Sequence, residues 1–272
     1  MMHRPIERLE SRRLLSASVT VKDVLQVYGT AGADNIAISE SGGGIVVTVN
    51  GAEANGSPFI GVNSVRIHGM AGADTITIDS SVPLTQKVVI DGGMGDDSLV
   101  ADGGHGVIFG GAGNDNISVN AASYDINGGI GADTIAATGG ANEIIHGEAG
   151  ADSINVSGGG YDLIFGGPGG NTIDVAGGFD TVISGSGHDD VTADDGATAL
   201  LFDMSGGDTV TGNVGADTGG DTVYTSGHTD SLNLNSSIDV VNPSGVTHPP
   251  HVKLLLTYLR SLTDPSQLPP TI

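Results

Sequence analysis

The chain has 272 residues, a formal net charge of −23, 46 glycines and no cysteine. So acidic a chain is a poor partner for nucleic acid, because neutralising phosphates takes Lys and Arg, and it forms no disulfide. No apolar run approaches the roughly 20 residues of a membrane-spanning helix, and 4% aromatic residues make an ordinary compact core hard to build.

Residues 1–17, MMHRPIERLESRRLLSA, hold four of the nine Lys and Arg residues. Leu14 and Leu15 alone are too short for the apolar centre of a signal peptide. The run Leu9-Glu10-Ser11-Arg12-Arg13-Leu14-Leu15 resembles the LEPR-x-L-L tag at the N-terminus of many bacterial surface and secreted proteins, with Ser11 where that tag has proline. The segment therefore reads as a basic sorting-type segment, with a plain basic helix as the alternative.

Residues 18–88 alternate as strands do, through Val19, Val21, Val24, Val27, Ile36 and Ile38. Gly42–Gly44 make a turn before Ile45, Val47 and Val49, and Asn50-Gly51 and Asn55-Gly56 are hairpin or turn signals. Asp34 and Asp74 lie 40 residues apart, a step that predicts a hairpin inserted after each. This stretch is expected to cap the stack that follows and protect its first edge.

Residues 89–225 repeat. Reference residues fall at Asp97, Asp115, Asp133, Asp152, Asn171, Asp189 and Asp208, every 18 or 19 residues, with Asp34 and Asp74 before them and Asp221 after. Two residues before each stands glycine, from Gly95, Gly113, Gly131 and Gly150 to Gly206. Two residues after, and seven before, stands a large aliphatic residue, such as Ile117 and Ile108 around Asp115. A further glycine stands five before in the clearest copies, at Gly92, Gly110, Gly128 and Gly147. Glycine permits φ > 0, so the backbone curls and turns its carbonyls to one point. The aspartate adds a hard anionic oxygen there, and the aliphatic residues sit on short strands facing inward. One step is thus one coil of a solenoid, two strands and two turns. Stacked at roughly 4.7–4.9 Å, two turns can supply the six to eight oxygens calcium takes. Glycine turns whose aspartates merely cap the local backbone are the alternative. Asn171 is a neutral and weaker oxygen donor.

The copies GGMGDDSLV, GGAGNDNIS and GGIGADTIA fit G-G-x-G-x-D-x-U-x, and the chain resembles the RTX, or haemolysin-type, calcium-binding repeat proteins. The resemblance implies a parallel β-roll and Ca2+ as the bound ion. It also implies export, since such proteins typically carry a C-terminal secretion signal. The pattern here departs from the densest RTX pattern, because one motif occurs per coil. On the other edge stand Gly-Gly turns, with Asp125, Asp162 and Asp180 in only some coils. One ion row is therefore expected, with the second edge closed by glycine turns alone. The extra residue of the longer steps is placed in those opposite turns, near Gly139-Gly140 and Gly158–Gly160.

Between Lys87 and Lys253 no Lys or Arg stands against 23 Asp and Glu. Stacked carboxylates repel, and divalent cations would cancel that charge and couple folding to calcium. In residues 226–248, Leu232, Leu234, Ile238 and Val240 suggest a last coil. Residues 251–262, HVKLLLTYLRSL, read as a short helix with a stripe of Leu254, Leu255, Tyr258, Leu259 and Leu262, an end cap or a docking or export element.

No H-E-x-x-H, G-x-S-x-G or cysteine nucleophile is present. The expectation is an all-β protein, a right-handed parallel β-roll or β-helix solenoid with an N-terminal hairpin section and a short C-terminal helix. Its function is expected to be non-enzymatic calcium binding at the surface or outside the cell. The metal ligands would be the side chains of Asp34, Asp74, Asp97, Asp115, Asp133, Asp152, Asn171, Asp189 and Asp208. Carbonyls of Gly92, Gly95, Gly110, Gly113, Gly128, Gly131, Gly147 and Gly150 would complete the sites. An adhesin or polysaccharide-binding module is the alternative, and a β-helix lyase or epimerase a more distant one.

Overall fold

The computed structural model describes residues 16–20, 24–83, 85–120, 123–139, 142–193, 197–202, 205–212, 222–225, 231–233 and 240–243. Most of the N-terminal sorting-type segment, Asp221 with Gly219, and the helix expected at 251–262 lie outside the described residues. Among the described residues every regular element is a β-strand.

The chain winds between two sheets. The first, of 12 strands, includes Val24–Tyr28, Ser64–Ala71, Lys87–Met94, His105–Ala112, Tyr124–Ile130, Ile144–Ala149, Leu163–Phe165, Gly178–Ile183 and Ala197–Phe202. The second, of 13 strands, includes Asn35–Ser41, Thr75–Ile78, Ser98–Ala101, Asn116–Val119, Thr134–Thr138, Ser153–Ser157, Thr172–Ala176, Asp190–Ala193 and Thr209–Thr211. From Val24–Tyr28 onward the strands of the first sheet pair in parallel, each with its counterpart one coil away. This is a parallel β-solenoid, as the repeat predicts.

Register follows the aliphatic columns. In the first sheet Ile90, Ile108, Ile126, Ile145, Ile164 and Val182 lie side by side. In the second the row is Leu99, Ile117, Ile135, Ile154, Ile173, Val191 and Val210. All of these are buried. A third row, Ala101, Val119, Ala137, Val156, Val175 and Ala193, fills the rest of the interior. Alternation fixes this register, because a slip of one residue would turn every aliphatic side chain outward. Each buried Ile or Val contributes about 1.5–3 kcal/mol relative to exposure, so a thin core of a few per coil suffices with few aromatics.

The half-coil across the motif edge is constant in length: Ile108 to Ile117, Ile126 to Ile135, Ile145 to Ile154 and Ile164 to Ile173 are each nine residues. Across the opposite edge it varies, nine from Ile117 to Ile126 but ten from Ile135 to Ile145 and from Ile154 to Ile164. The extra residue thus lies in the opposite turns, as expected.

The N-terminal section holds one inserted hairpin. Asn35–Ser41 pairs antiparallel with Gly44–Val49, which in turn pairs with Ala52–Glu53 across Asn50 and Gly51, both at positive φ (51° and 77°). That is the two-residue turn the Asn-Gly signal predicts. After Asp74 the expected hairpin is absent. The described residues of 79–86 hold no strand, since the Asp74–Asp97 step of 23 residues leaves too little chain for two more.

Candidate metal centre along the motif edge

Every turn from the first sheet to the second brings its reference residue inside. Asp34, Asp74, Asp97, Asp115, Asp133, Asp152, Asn171, Asp189 and Asp208 are all buried, none more than 4% exposed. They form one ladder. The backbone N–H of Asp97 donates to Oδ1 of Asp115 (2.8 Å), that of Asp115 to Asp133 (2.8 Å), and that of Asp133 to Asp152 (2.9 Å). The same bond joins Asp34 to Asp74, Asp74 to Asp97, Asp152 to Asn171, Asn171 to Asp189, and Asp189 to Asp208. The capping that the bland alternative invokes therefore exists, but it runs between coils and engages one oxygen of each carboxylate.

The second oxygen is the informative one. Oδ2 of Asp74, Asp97, Asp115, Asp133, Asp152 and Asp189 is buried and accepts no hydrogen bond. The glycine five residues earlier and its successor in the next coil crowd it. A Cβ on Gly92 would lie 2.5 Å from Asp97 Oδ2 and 2.6 Å from the Gly110 carbonyl. On Gly110 it would lie 2.5 Å from Asp115 Oδ2 and 2.4 Å from the Gly128 carbonyl, and Gly128 and Gly147 repeat the pattern. A carboxylate oxygen and a carbonyl oxygen thus converge in coil after coil, with no hydrogen between them. A buried, unpartnered carboxylate is costly unless something cationic compensates it. From Val88 to Val252 the chain has no Lys or Arg, and Arg66 and Lys87, on the strands that lead to Asp74 and Asp97, are exposed; the oxygens are of the hard kind that calcium prefers.

Two coils show what happens when a hydrogen is supplied. In the Asn171 coil, Oδ1 takes the Asp152 N–H (3.0 Å), and Nδ2 donates to the carbonyls of Gly167 (3.2 Å) and Ser184 (3.4 Å). The amide nitrogen stands where the other coils have Oδ2, and it satisfies the very carbonyls that would otherwise face an anion. At Asp34, Oδ2 accepts from the N–H (2.5 Å) and Oγ1 (2.8 Å) of Thr30, and Oδ1 from Asn50 Nδ2 (2.7 Å). Both oxygens of its carboxylate thus accept hydrogen bonds, whereas Oδ2 of Asp74 accepts none.

The glycines two before the aspartate shape the turn. Gly95, Gly113 and Gly131 have φ of 122°, 138° and 139°, and a Cβ on Gly131 would come within 1.8 Å of the Gly113 carbonyl. Their N–H groups donate to the next coil, Gly113 to Ile130 and Gly131 to Ala149 (both 2.9 Å), and Gly150 does the same to Pro168 (3.1 Å). Four before the aspartate, in the column of Gly93, Gly111 and Gly129, Met70 and Glu148 adopt φ of 85° and 68° without being glycine.

Burial first, opposed by the N–H from the coil before, pushes Asp115, Asp152 and Asp189 up to about 6. Asp74 is likewise pushed up to about 6, and Asp97 and Asp133 are raised, each by burial first. Among the described residues no three acidic or histidine side chains close on one point. The motif edge instead sets one carboxylate per coil among main-chain carbonyls.

The opposite edge departs from expectation. Asp125 is not in it; it lies on the first sheet beside Ile144 of the next coil. Glycine turns alone do not close it, because Glu143, Asp162 and Asp180 are buried there (2%, 5% and 2% exposed). On the outer face of the first sheet, Phe109, Asn127, His146, Leu163 and Phe165 line a shallow groove of about 340 Å³, with His146 stacked on Phe165 at 4.6 Å. No described helix is long and apolar enough to cross a membrane.

Comparison with known proteins agrees with the geometry. The family model described as RTX calcium-binding nonapeptide repeat (4 copies) matches residues 91–123, 127–164, 137–173, 156–182 and 165–199. No curated protein and no solved structure matches the chain. The matched residues include Asp97, Asp115, Asp133, Asp152 and Asp189, whose buried carboxylates keep an unpartnered Oδ2. Residues 91–199 therefore carry RTX calcium-binding nonapeptide repeats, a repeat family that binds Ca2+.

Proposed function

We propose that this is a calcium-dependent structural module, exported from the cell, in which ions lie between successive coils along the motif edge and hold the roll together. The observation that carries the reading is the row of buried, unpartnered Oδ2 atoms, those of Asp74, Asp97, Asp115, Asp133 and Asp152 each set against a glycine carbonyl of the next coil. Asp74, Asp97, Asp115, Asp133, Asp152, Asp189 and Asp208 would supply the carboxylates, and Gly92, Gly110, Gly128 and Gly147 the carbonyls. Gly95, Gly113, Gly131 and Gly150 would shape the turns and add carbonyls to the sites. Calcium would supply the positive charge that the chain lacks and tie each coil to the next. Extracellular calcium modules bind at about 10⁻⁴–10⁻³ M per site, so such a roll would be loose in a low-calcium cytosol and fold after export. The reading gives the module no catalytic role.

Calcium titration followed by circular dichroism, with magnesium as control, tests it. A disordered-to-β transition with calcium alone is expected. Replacing Asp115 and Asp133 together by Ala removes two adjacent carboxylates and is expected to raise the midpoint about tenfold, equivalent to about 1.4 kcal/mol. An unchanged midpoint would count heavily against the assignment.

The groove on the first sheet favours a second reading, a glycan-binding face, because aromatic rings and polar side chains line it together. Affinity electrophoresis in neutral polysaccharide gels should then show retardation that Phe109→Ala abolishes. Equal mobility with and without glycan removes this reading.

A further inference from the structure

We propose that Glu143, Asp162 and Asp180 hold a second, shorter set of divalent cations on the edge opposite the motif, where no nonapeptide turn exists. The proposal goes beyond the motif-edge row and rests on it only for the identity of the ion. The segments concerned read GGANE, GGGYD and AGGFD, and none contains G-G-x-G-x-D. Even so, the three acidic residues stack one per coil, as the motif aspartates do. The N–H of Glu143 donates to Asp162 Oδ1 at 2.8 Å, and the N–H of Asp162 to Asp180 Oδ1 at 3.2 Å.

As on the motif edge, this leaves oxygens over. Glu143 Oε1 and Asp180 Oδ2 are buried without a hydrogen-bond partner, on side chains 2% exposed. The Gly160 carbonyl lies near the Asp180 carboxylate: a Cβ on Gly178, itself at φ 84°, would lie 3.1 Å from that carbonyl, which accepts the Phe179 N–H at 2.9 Å, and 3.2 Å from Asp180 Oδ1. No Lys or Arg stands within these coils to compensate them. Burial, then a hydrogen bond with Asp162 and its charge, pushes Glu143 up to about 8; burial pushes Asp180 up to about 7, with Asp162 adding to it. Carboxyl groups close enough to share a proton are also close enough to share a cation. Since the three do not close on one point, the ions belong between neighbouring pairs, Glu143 with Asp162 and Asp162 with Asp180. Main-chain carbonyls and water would complete the coordination that calcium needs.

The test counts bound ions. The full chain is dialysed against ⁴⁵Ca at saturating calcium, and Glu143→Gln/Asp180→Asn is compared with the parent. Asn at 180 keeps the oxygen that accepts the Asp162 N–H, and both amides can put an NH₂ where the orphan oxygen stood, the arrangement that Asn171 already adopts. The double variant is expected to bind at least one ion fewer, and Asp162→Asn, which touches both pairs, to lose as many or more. An unchanged count in both variants overturns the proposal and assigns the edge to protons. Asp115→Asn/Asp133→Asn, measured alongside, reports on the motif edge. If that pair binds as many ions as the parent, the motif-edge reading fails, whatever the opposite edge does.

Discussion

In excess chelator at neutral pH the roll is expected to lose its β-structure, and to regain much of it when the same solution is brought down toward pH 4. Burial holds Asp74, Asp115, Asp152 and Asp189 at about 6 in the folded chain, against 3.8 for the ordinary side chain. Between those two values the folded chain carries more protons than the unfolded one, so stability falls as pH rises. The destabilisation is absent below about 4 and complete above about 6, where every such carboxylate is charged and its Oδ2 has no partner. Calcium reverses the trend. Protons compete with the ion for the same oxygens, so the calcium midpoint should rise as pH falls through 6. Thermal melts by circular dichroism at pH 4, 5, 6 and 7, with calcium and with chelator, check both directions. A chelated protein more stable at pH 7 than at pH 4 would contradict the buried carboxylate row.

How far the chain betrays this arrangement differs between its two edges. The motif edge was legible because its half-coil is always nine residues, so glycine, aspartate and aliphatic residue recur at fixed offsets and the columns line up by eye. The opposite edge hides because its turns vary in length. Glu143 follows Asp133 by ten residues and Asp162 follows Asp152 by ten, yet Asp180 follows Asn171 by nine. No fixed offset collects the three, and only the stacked backbone puts them in one column. The sequence also gives no sign that Glu143 turns inward, since a glutamate beside a Gly-Gly turn ordinarily faces solvent. Asp125 errs the other way: it sits among glycine turns in the chain but on a strand position whose side chain leaves the core. Two further distinctions needed hydrogen-bond partners that no periodicity reveals. Asp34 and Asp74 look alike as isolated copies, but only Asp34 has Thr30 and Asn50 to saturate its carboxylate. Asn171 looks like a weakened ligand until the Asp152 N–H is seen to claim its oxygen, leaving nitrogen toward the carbonyls.

That last point makes Asn171→Asp the sharpest test of how a coil stays together without an ion. The amide donates to the Gly167 carbonyl of its own turn and to the Ser184 carbonyl of the next coil, so this step needs no cation, and it interrupts the row between Asp152 and Asp189. Aspartate at 171 keeps the oxygen that receives the Asp152 N–H but exchanges an NH₂ donor for an anionic oxygen facing the Gly167 and Ser184 carbonyls. In chelator the variant loses those hydrogen bonds and gains an uncompensated buried charge, a change that costs about 3–5 kcal/mol. In saturating calcium the same oxygens become a site, and the cost should shrink or change sign. The variant is therefore expected to melt well below the parent without calcium, to approach or pass it with calcium, and to bind one more ion per chain. Ser184, which stands where the coils from Asp97 to Asn171 have glycine, sets the limit on this gain, because it carries a side chain that Gly110 and Gly128 lack. If Asn171→Asp/Ser184→Gly also bound no additional ion, while the parent bound calcium elsewhere, the carbonyl-and-carboxylate description of the motif edge would be wrong.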